Sequence, residues 1–272
     1  MKFKSFFYIF FIILVLSWSL HFVYLYLTPH YTPKVKPVDL KPLLSKPSFS
    51  SEDYQLIFEQ TGLSQPIVDE LRLSADFEEQ LCKFQRNYLA EIKVYNIYMP
   101  PATLCQMVGS SPSNKVQAFT LAPYHNGYIL FTDATHSFGL RHGHIGLVVD
   151  EIRGLTLEAL SPGTVSCLQN IHKWEFYPTF KMLRLKDASP SLMEDISNYA
   201  LAQLQGLPYN ILSSKKQKIP YTTHCSLLVW QAFYPFGYDL DSTGGYFVLP
   251  QDIIYSPFLE VLQIYGLNPI ED

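Results

Sequence analysis

The chain has 272 residues and a mass of 31.3 kDa, which allows one or two globular domains. Hydrophobic residues make up 48 % of it and charged residues only 16 %, a composition that excludes a disordered protein. The formal net charge of −4 argues against a general nucleic-acid binder, because such proteins carry a basic excess. We therefore expect no nucleic acid among its partners.

The N-terminal segment from Phe6 to Leu27 is apolar apart from three polar residues and carries no formal charge. Its length of about 22 residues suffices for a helix that crosses a bilayer. Because Lys2 and Lys4 precede it, we predict a single-pass membrane anchor over residues 1–28, with a cytoplasmic N-terminus and the remaining chain outside the cytoplasm. The small-x-small pattern Ser17-Trp18-Ser19 leaves a cleavable signal peptide as the alternative.

Five prolines fall between residues 28 and 50, and a stretch so rich in proline builds neither a helix nor a central strand. We interpret residues 29–51 as a semi-extended tether. Beyond it, apolar residues recur at the spacing of one helix face: Phe77, Leu81, Phe84, Tyr88 and Ile92. This pattern predicts helices over residues 52–108, within a helical subdomain that we place at 52–120.

The C-terminal half changes to short strand signals followed by helix signals, and we assign residues 121–272 to one domain. Runs rich in β-forming residues lie at 128–132, 144–150, 155–160 and 181–185. Ser189 followed by Pro190 predicts a helix start, with Gly206 just past its end. A second helix, apolar nearly all round and therefore buried, is predicted to begin near Cys225. Together these signals indicate an α+β fold.

The sequence contains four cysteines, and none of them forms a close pair. This spacing excludes a C-x-x-C zinc or redox motif, and four cysteines are too few for a disulfide scaffold. Cys225 is the best-placed nucleophile, because a helix N-terminus lowers the pKa of a thiol and offers free N–H groups to an oxyanion. A small buried hydrophobe is the alternative interpretation of this residue. Cys82, Cys105 and Cys167 are interpreted as buried or inert thiols.

A thiol nucleophile needs a base and a group that orients the base. His144 begins the apolar run 144–150, and Glu158 lies in the next run, 155–160. A hairpin centred on residue 151 would place them opposite each other, with Glu158 as the acceptor that holds the imidazole. Asp150 is the alternative orienting residue, although it lies about 20 Å from His144 along the strand.

Several segments in the C-terminal half form an ordered series. They are FGLRHGHIGLV at 138–148, LEALSPG at 157–163, GLPYN at 206–210, CSLLVW at 225–230, DLDS and GG at 239–245, and VLPQD and SP at 248–257. This series resembles the permuted papain-fold cysteine hydrolases of the YiiX/YebB type, which are relatives of the NlpC cell-wall peptidases. The similarity extends over about residues 125–260, roughly half of the chain.

The resemblance implies a permuted papain-like, NlpC-related core with Cys225 as nucleophile, His144 as base and Glu158 as the third member. It places Tyr209 near the oxyanion or the substrate. It implies a membrane-anchored cysteine hydrolase of the peptidase or amidase type, which cleaves amide bonds in cell-wall peptides through a thioester intermediate and needs no cofactor. The alternatives are a lipid acyl hydrolase or acyltransferase on the same fold and a non-catalytic membrane-bound binding module. His224 departs from the family's pattern, because many relatives have a small or polar residue before the nucleophile.

Two metal-binding interpretations have weaker support. His142 and His144 are two apart on a predicted strand and could share a metal, but no further ligands stand at a fixed spacing. Asp239-x-Asp241 faintly resembles a calcium loop, but the twelfth position is Pro250 instead of the required glutamate. We therefore expect no metal ion.

Overall fold

The computed structural model describes residues 2–26, 30–99, 103–137 and 140–269, and its architecture is mixed α+β, as predicted. The helices in chain order are α1 (Lys2–Tyr26), α2 (Lys41–Leu44), α3 (Ser51–Thr61), α4 (Gln65–Leu71), α5 (Phe77–Tyr88), α6 (Pro190–Gln203), α7 (Cys225–Phe233) and α8 (Pro250–Ile254). Short 3-10 helices lie at Ile171–Phe176 and Tyr234–Phe236. The strands are β1 (Val94–Met99), β2 (Thr103–Ser111), β3 (Asn114–Lys115), β4 (Ile129–Thr132), β5 (Thr135–Ser137), β6 (Leu140–Arg141), β7 (His144–Asp150), β8 (Leu155–Glu158), β9 (Cys167–Asn170), β10 (Phe180–Leu185) and β11 (Leu259–Tyr265).

Two antiparallel sheets organise the chain. The larger one has the order β11-β10-β4-β7-β8-β9, and each neighbouring pair is antiparallel. The smaller one has the order β1-β2-β5-β6, and β3 pairs with β2. The four runs predicted as strands in the C-terminal half correspond to β4, β7, β8 and β10, which all belong to the larger sheet. These predictions are confirmed.

The predicted apolar segment at the N-terminus lies in α1, where described side chains such as Phe6 and Trp18 are exposed. In the part of the chain that the structure describes, no helix has the length and apolar character that a membrane crossing requires. The structure therefore does not support the single transmembrane helix predicted over residues 1–28. Positions 1, 27 and 28 of that prediction lie outside the described residues.

The proline-rich segment predicted as a tether contacts the folded part of the chain. His30 Nδ1 lies 2.7 Å from the carbonyl oxygen of Pro178, and the amide of Tyr31 donates to the carbonyl of Gly266 at 2.9 Å. Further along, the Leu40 side chain is buried in the hydrophobic core. These contacts fix residues 30–40 against the domain that follows. The prediction that the proline-rich stretch builds no helix is wrong for α2 (Lys41–Leu44), which carries Pro42 in its first turn, where a proline is tolerated.

The helical region is confirmed as far as α5. Phe77, Leu81, Phe84 and Tyr88 are all buried on one face of this helix, as their spacing predicts. The prediction of helix up to residue 108 is wrong, because β1 and β2 occupy 94–99 and 103–111 and pair with each other. The residues of β1, with the sequence VYNIYM, are mostly β-branched or aromatic, and such residues favour a pleated surface. The predicted stop at Pro100-Pro101 lies outside the described residues.

The helices of the C-terminal half pack on one strand of the larger sheet. Both α6 and α7 contact β7, and they also contact each other. The hydroxyl of Ser189 accepts a hydrogen bond from the amide of Leu192 at 3.2 Å and Pro190 occupies the first helical position, as predicted. As also predicted, α7 begins at Cys225, and the rest of it is buried. This packing brings the N-terminus of a helix to the strand that begins with His144.

Candidate active site

The structure brings together the three residues predicted to form a catalytic constellation. His144 is the first residue of β7 and Glu158 the last residue of β8, and both side chains are buried. Cys225 is the first residue of α7 and remains partly accessible. Because β8 pairs with β7 and α7 packs on β7, all three side chains meet at one end of that strand pair.

Glu158 reaches His144 diagonally across the hairpin. Leu147 pairs with Leu157 and Val148 with Thr156, and an irregularity follows at Asp150. Continuing this register places Glu158 opposite Gly146. The prediction of a hairpin centred on residue 151 is therefore wrong by one residue at the turn, and His144 lies two residues away from the position opposite Glu158. The expected pairing of the side chains is nevertheless present, since His144 Nε2 lies 2.6 Å from Glu158 Oε2.

Gly146 makes this diagonal contact possible. A β-carbon at position 146 would lie 2.9 Å from Cγ of Glu158, closer than real side chains approach, and 3.0 Å from Cζ2 of Trp174, which is tighter than most real contacts. The absence of a side chain at Gly146 therefore leaves the space in which the Glu158 side chain crosses the strand towards His144. Gly146 therefore contributes to the site through the space that it leaves open.

The Glu158 carboxylate is fully buried and accepts four hydrogen bonds. Its Oε2 atom accepts from His144 Nε2 and from the Lys173 ammonium, both at 2.6 Å. Its Oε1 atom accepts from the Thr156 hydroxyl at 2.6 Å and from the Trp174 indole N–H at 3.2 Å. A buried charge is tolerated when it is paired and hydrogen-bonded in this way. The carboxylate is thus fixed in position before any substrate binds.

The His144 ring is fixed by stacking as well as by its bond to Glu158. The ring of Trp174 lies parallel to it, with the centroids 5.5 Å apart and the planes inclined by 10°. Nε2 of the ring is directed at Glu158, and the Cys225 thiol lies close enough to the His144 ring for each group to shift the pKa of the other. This is the nucleophile–base–orienting-group order of cysteine and serine hydrolases.

His224 is a second histidine beside the thiol. It is the N-cap of α7, and its Nδ1 accepts a hydrogen bond from the amide of Leu227 at 3.4 Å. Its Nε2 lies 3.2 Å from the carbonyl oxygen of Ser213 and donates to it, because the other ring nitrogen acts as an acceptor. The ring therefore ties the start of α7 to the preceding loop and holds Cys225 at the helix terminus.

The electrostatics of the three residues favour a thiolate–imidazolium pair. Burial raises the pKa of a thiol, but the interaction with the His144 imidazole holds the pKa of Cys225 well below its ordinary value. Burial lowers the pKa of an imidazole, yet Cys225 and Glu158 together raise the pKa of His144 above its ordinary value. Burial also opposes ionisation of Glu158, but the bond from His144 and the charge of Lys173 keep its pKa low. These opposed shifts are the pattern expected of an activated nucleophile.

Tyr209 lies in the segment that precedes the nucleophile. Its backbone pairs with that of Thr223, and its amide donates to the carbonyl of Thr164 at 2.9 Å. Burial, and to a lesser degree the nearby Cys225 thiol, raises the pKa of its phenol. The role of Tyr209 beside the oxyanion or the substrate stays a prediction.

The other three cysteines lie in different surroundings. Cys105 is buried, and this burial raises the pKa of its thiol to about 12. Cys82 lies on α5, and the Cys167 sulfur accepts a hydrogen bond from the Gln169 side chain at 3.2 Å. Of the four cysteines, Cys225 alone lies beside the His144 and Glu158 pair.

The histidines weighed as metal ligands do not converge. His142 directs Nδ1 at the carbonyl of Gly143, at 2.8 Å, and Nε2 at the Ser137 hydroxyl, at 3.0 Å. In the described ranges, no group of three or more histidine, cysteine, aspartate and glutamate side chains is arranged to hold a metal ion. Asp241, weighed as a calcium ligand, is instead paired with the Lys215 ammonium at 2.5 Å.

Several residues that shape the site were missed by the sequence analysis. Lys173 and Trp174 lie in the 3-10 helix that follows β9, and the sequence contains no signal that this turn lies against Glu158. Thr156 carries a usable signal, because residues two apart on a strand share a face and Thr156 precedes Glu158 by two. Gly146 also carries one, since a glycine inside an apolar strand often marks a close approach.

Comparisons with known proteins give one partial similarity. No protein-family profile matches the chain, and no curated protein matches it. Among solved structures, the chain is similar to the metalloprotein YiiX from Escherichia coli O157:H7, with 16 % sequence identity and a TM-score of 0.40. The match covers 52 % of this chain and 97 % of the YiiX chain. YiiX is the type of protein that the ordered sequence segments resemble, but similarity at this level assigns no activity.

Proposed function

We propose that this protein is a cysteine hydrolase in which Cys225 is the nucleophile, His144 the general base and acid, and Glu158 the residue that orients the imidazole. The supporting observation is the buried 2.6 Å contact between His144 and Glu158, with the Cys225 thiol at the helix N-terminus close enough to His144 for each to shift the pKa of the other. Taken with the resemblance of the ordered segments, it favours a permuted papain-like, NlpC-related core.

The reaction follows from the positions of these groups. The Cys225 thiolate attacks the carbonyl carbon of an amide, and the oxyanion that forms meets the first N–H groups of α7, which have no acceptor within the helix. The imidazolium of His144 transfers its proton to the departing amine, which leaves a thioester on Cys225. His144 then takes a proton from water, and the resulting hydroxide hydrolyses the thioester and restores the thiolate.

The substrate class and the location are parts of the same proposal. We infer that the amide lies in cell-wall peptides, because the segments of the chain resemble relatives of the NlpC peptidases. The membrane anchor rests on the uncharged apolar run from Phe6 to Leu27 of the sequence and not on the structure, in which no described helix meets the requirements of a membrane crossing. From that run we infer a membrane anchor with the N-terminus in the cytoplasm and the hydrolase outside it. Protease protection of the full chain in sealed membrane vesicles tests this topology.

Labelling with a thiol-directed acyl probe tests the proposed nucleophile. The probe is expected to label the full chain and the Cys82→Ala variant equally, and labelling is expected to disappear in Cys225→Ala. Labelling that persists in Cys225→Ala contradicts the proposal. A cellular role that survives Cys225→Ala would instead support the non-catalytic binding module.

A lipid acyl hydrolase or acyltransferase is the second candidate function. It is favoured by exposed apolar side chains on the loops next to α7, among them Leu212, Ile219 and Tyr246. Purified cell-wall fragments and phospholipids offered in parallel separate the two candidates. Release of fatty acid while the peptides stay intact would favour the lipid substrate.

A further inference from the structure

Two loops beside Cys225 carry large apolar side chains into solvent. One loop spans residues 210–222 and the other residues 242–249. Apart from the buried Val248, the exposed fraction of their large apolar side chains ranges from 50 % to 78 %. We call the following set the apolar rim: Ile211, Leu212, Ile219, Tyr221, Tyr246 and Phe247. Contiguous exposed apolar groups of this kind mark interaction surfaces.

The bases of both loops are fixed to the start of α7 by the residues on either side of the nucleophile. His224 Nε2 donates to the carbonyl of Ser213 in the first loop at 3.2 Å, and the Ser226 hydroxyl donates to the carbonyl of Val248 in the second at 2.7 Å. Ser213 and Val248 are buried, whereas the residues of the rim are exposed. The rim is therefore held in a constant relation to Cys225.

The two loops also bind each other. The amide of Lys215 in the first loop donates to the carbonyl of Tyr246 in the second at 3.1 Å. The Lys216 ammonium lies 4.2 Å from the centre of the Tyr246 ring, which is a cation–π contact. The apolar side chains of both loops consequently form one surface.

The charge of this surface is positive. Neither loop contains an aspartate or a glutamate. The ammonium of Lys215 is paired with Asp241 at 2.5 Å and lies 3.8 Å from Asp239. Lys216 and Lys218, in contrast, are exposed between the apolar positions. Exposed aliphatic and aromatic side chains interspersed with lysine are typical of a surface that enters the headgroup region of an anionic membrane.

We propose that the apolar rim docks onto the surface of an anionic bilayer and thereby presents Cys225 to substrates located at that surface. The occupant is the headgroup region, which accepts the aliphatic and aromatic side chains while its phosphates attract the two lysines. This inference does not depend on the reaction catalysed, so it holds equally for a Cys225→Ala chain.

Amide hydrogen exchange of the full chain tests the docking. The chain is reconstituted into vesicles of phosphatidylcholine alone or of phosphatidylcholine mixed with phosphatidylglycerol, and a sample in detergent serves as reference. Exchange at 211–221 and 245–249 is expected to slow only in the mixed vesicles. The regions around Leu73 and Ile152, which are 89 % and 93 % exposed, are the internal controls and are expected to exchange equally in all samples.

A variant that neutralises both lysines tests how strongly their charge contributes to docking. Each lysine near an anionic surface strengthens association by about fivefold, so Lys216→Gln combined with Lys218→Gln is expected to reduce the protection by up to about 25-fold. Both positions are exposed, and an unchanged midpoint of urea unfolding confirms that the variant is folded. A matched Lys83→Gln variant, at an exposed position on helix α5 and outside both loops, is expected to keep the protection.

Three outcomes overturn the proposal. The first is unchanged exchange at both loops in every sample, and the second is equal protection in neutral and anionic vesicles. The third is protection that grows with protein concentration in detergent, which would assign the surface to a second copy of this chain. Docking that persists in Cys225→Ala, together with loss of probe labelling, separates this inference from the proposed function.

Discussion

Replacing Glu158 by glutamine tests how the candidate site is assembled. The change keeps the size of the side chain but removes its charge and replaces one acceptor oxygen by an NH₂ group. His144 and Lys173 donate to one oxygen of Glu158, and Thr156 and Trp174 donate to the other. Whichever oxygen the NH₂ group replaces, it therefore faces two hydrogen-bond donors. Glu158→Gln therefore breaks a buried ion pair and leaves donors without an acceptor.

The cost follows from the burial of the group. Breaking a buried ion pair from one side destabilises a protein by about 3–5 kcal/mol, a large part of the roughly 5–15 kcal/mol of a typical folded state. Glu158 has its pKa lowered from 4.5 to about 2, so its contribution is complete above pH 4.5 and is lost as the pH falls towards about 2. The difference between the two proteins in free energy of unfolding should shrink over that window.

Urea unfolding of the full chain in mild detergent measures this difference, and the rate of Cys225 alkylation at mildly acidic pH measures the thiolate. We expect alkylation of Glu158→Gln to slow by at least about tenfold, which corresponds to one pKa unit. Glu175→Gln is the matched control, because Glu175 is also buried and hydrogen-bonded, but its carboxylate binds Gln117, Leu121 and His172 instead of His144 or Cys225. It is expected to lose stability without slower alkylation. Wild-type stability and alkylation in Glu158→Gln would refute the reasoning.

Three further substitutions probe the surroundings of the site. Gly146→Ala is expected to cost about 1–3 kcal/mol of unfolding free energy by overpacking against Glu158 and to slow probe labelling, whereas Gly245→Ala, whose added β-carbon meets nothing closer than 3.5 Å, should do neither. Lys173→Gln removes a cation that shares Glu158 Oε2 with His144, so the pKa of the His144 imidazolium is expected to rise. The loss of activity at alkaline pH should then move to higher pH, and a shift to lower pH would argue against this role of Lys173. His224→Ala removes the N-cap of α7 and should lower the free energy of unfolding by about 1 kcal/mol. It should also raise the pKa of Cys225, and an unchanged rate of Cys225 alkylation at acidic pH would contradict this expectation.

The sequence predicted the reactive groups better than their surroundings. Cys225 was identified because a buried apolar helix has a recognisable start, and His144 because it begins an apolar run. Glu158 was identified as a charge that needs a partner on a buried strand. Each of these signals lies within one short segment, so it is visible in the sequence without knowledge of the fold.

The features that the sequence did not predict depend on long-range packing. The β7–β8 hairpin turns between the paired residues Asp150 and Leu155, later in the chain than a turn centred on residue 151, and the hydrophobic pattern does not locate a turn to within one residue. Lys173 and Trp174 reach Glu158 only because the 3-10 helix folds back onto the sheet. The strands β1 and β2 were interpreted as helix, because apolar spacing in a short segment distinguishes poorly between the two.

The pH dependence of Cys225 alkylation in the full chain tests the central claim most directly, because it reports whether this thiol is ionised by His144. Alkylation of each cysteine by iodoacetamide is followed by mass spectrometry across the pH range. We predict that the rate at Cys225 stays high into the acidic range, well below the pKa of about 8.5 of an ordinary thiol, and that His144→Ala abolishes this. A rate at Cys225 that rises only near that ordinary value, or that is unchanged in His144→Ala, would contradict the account.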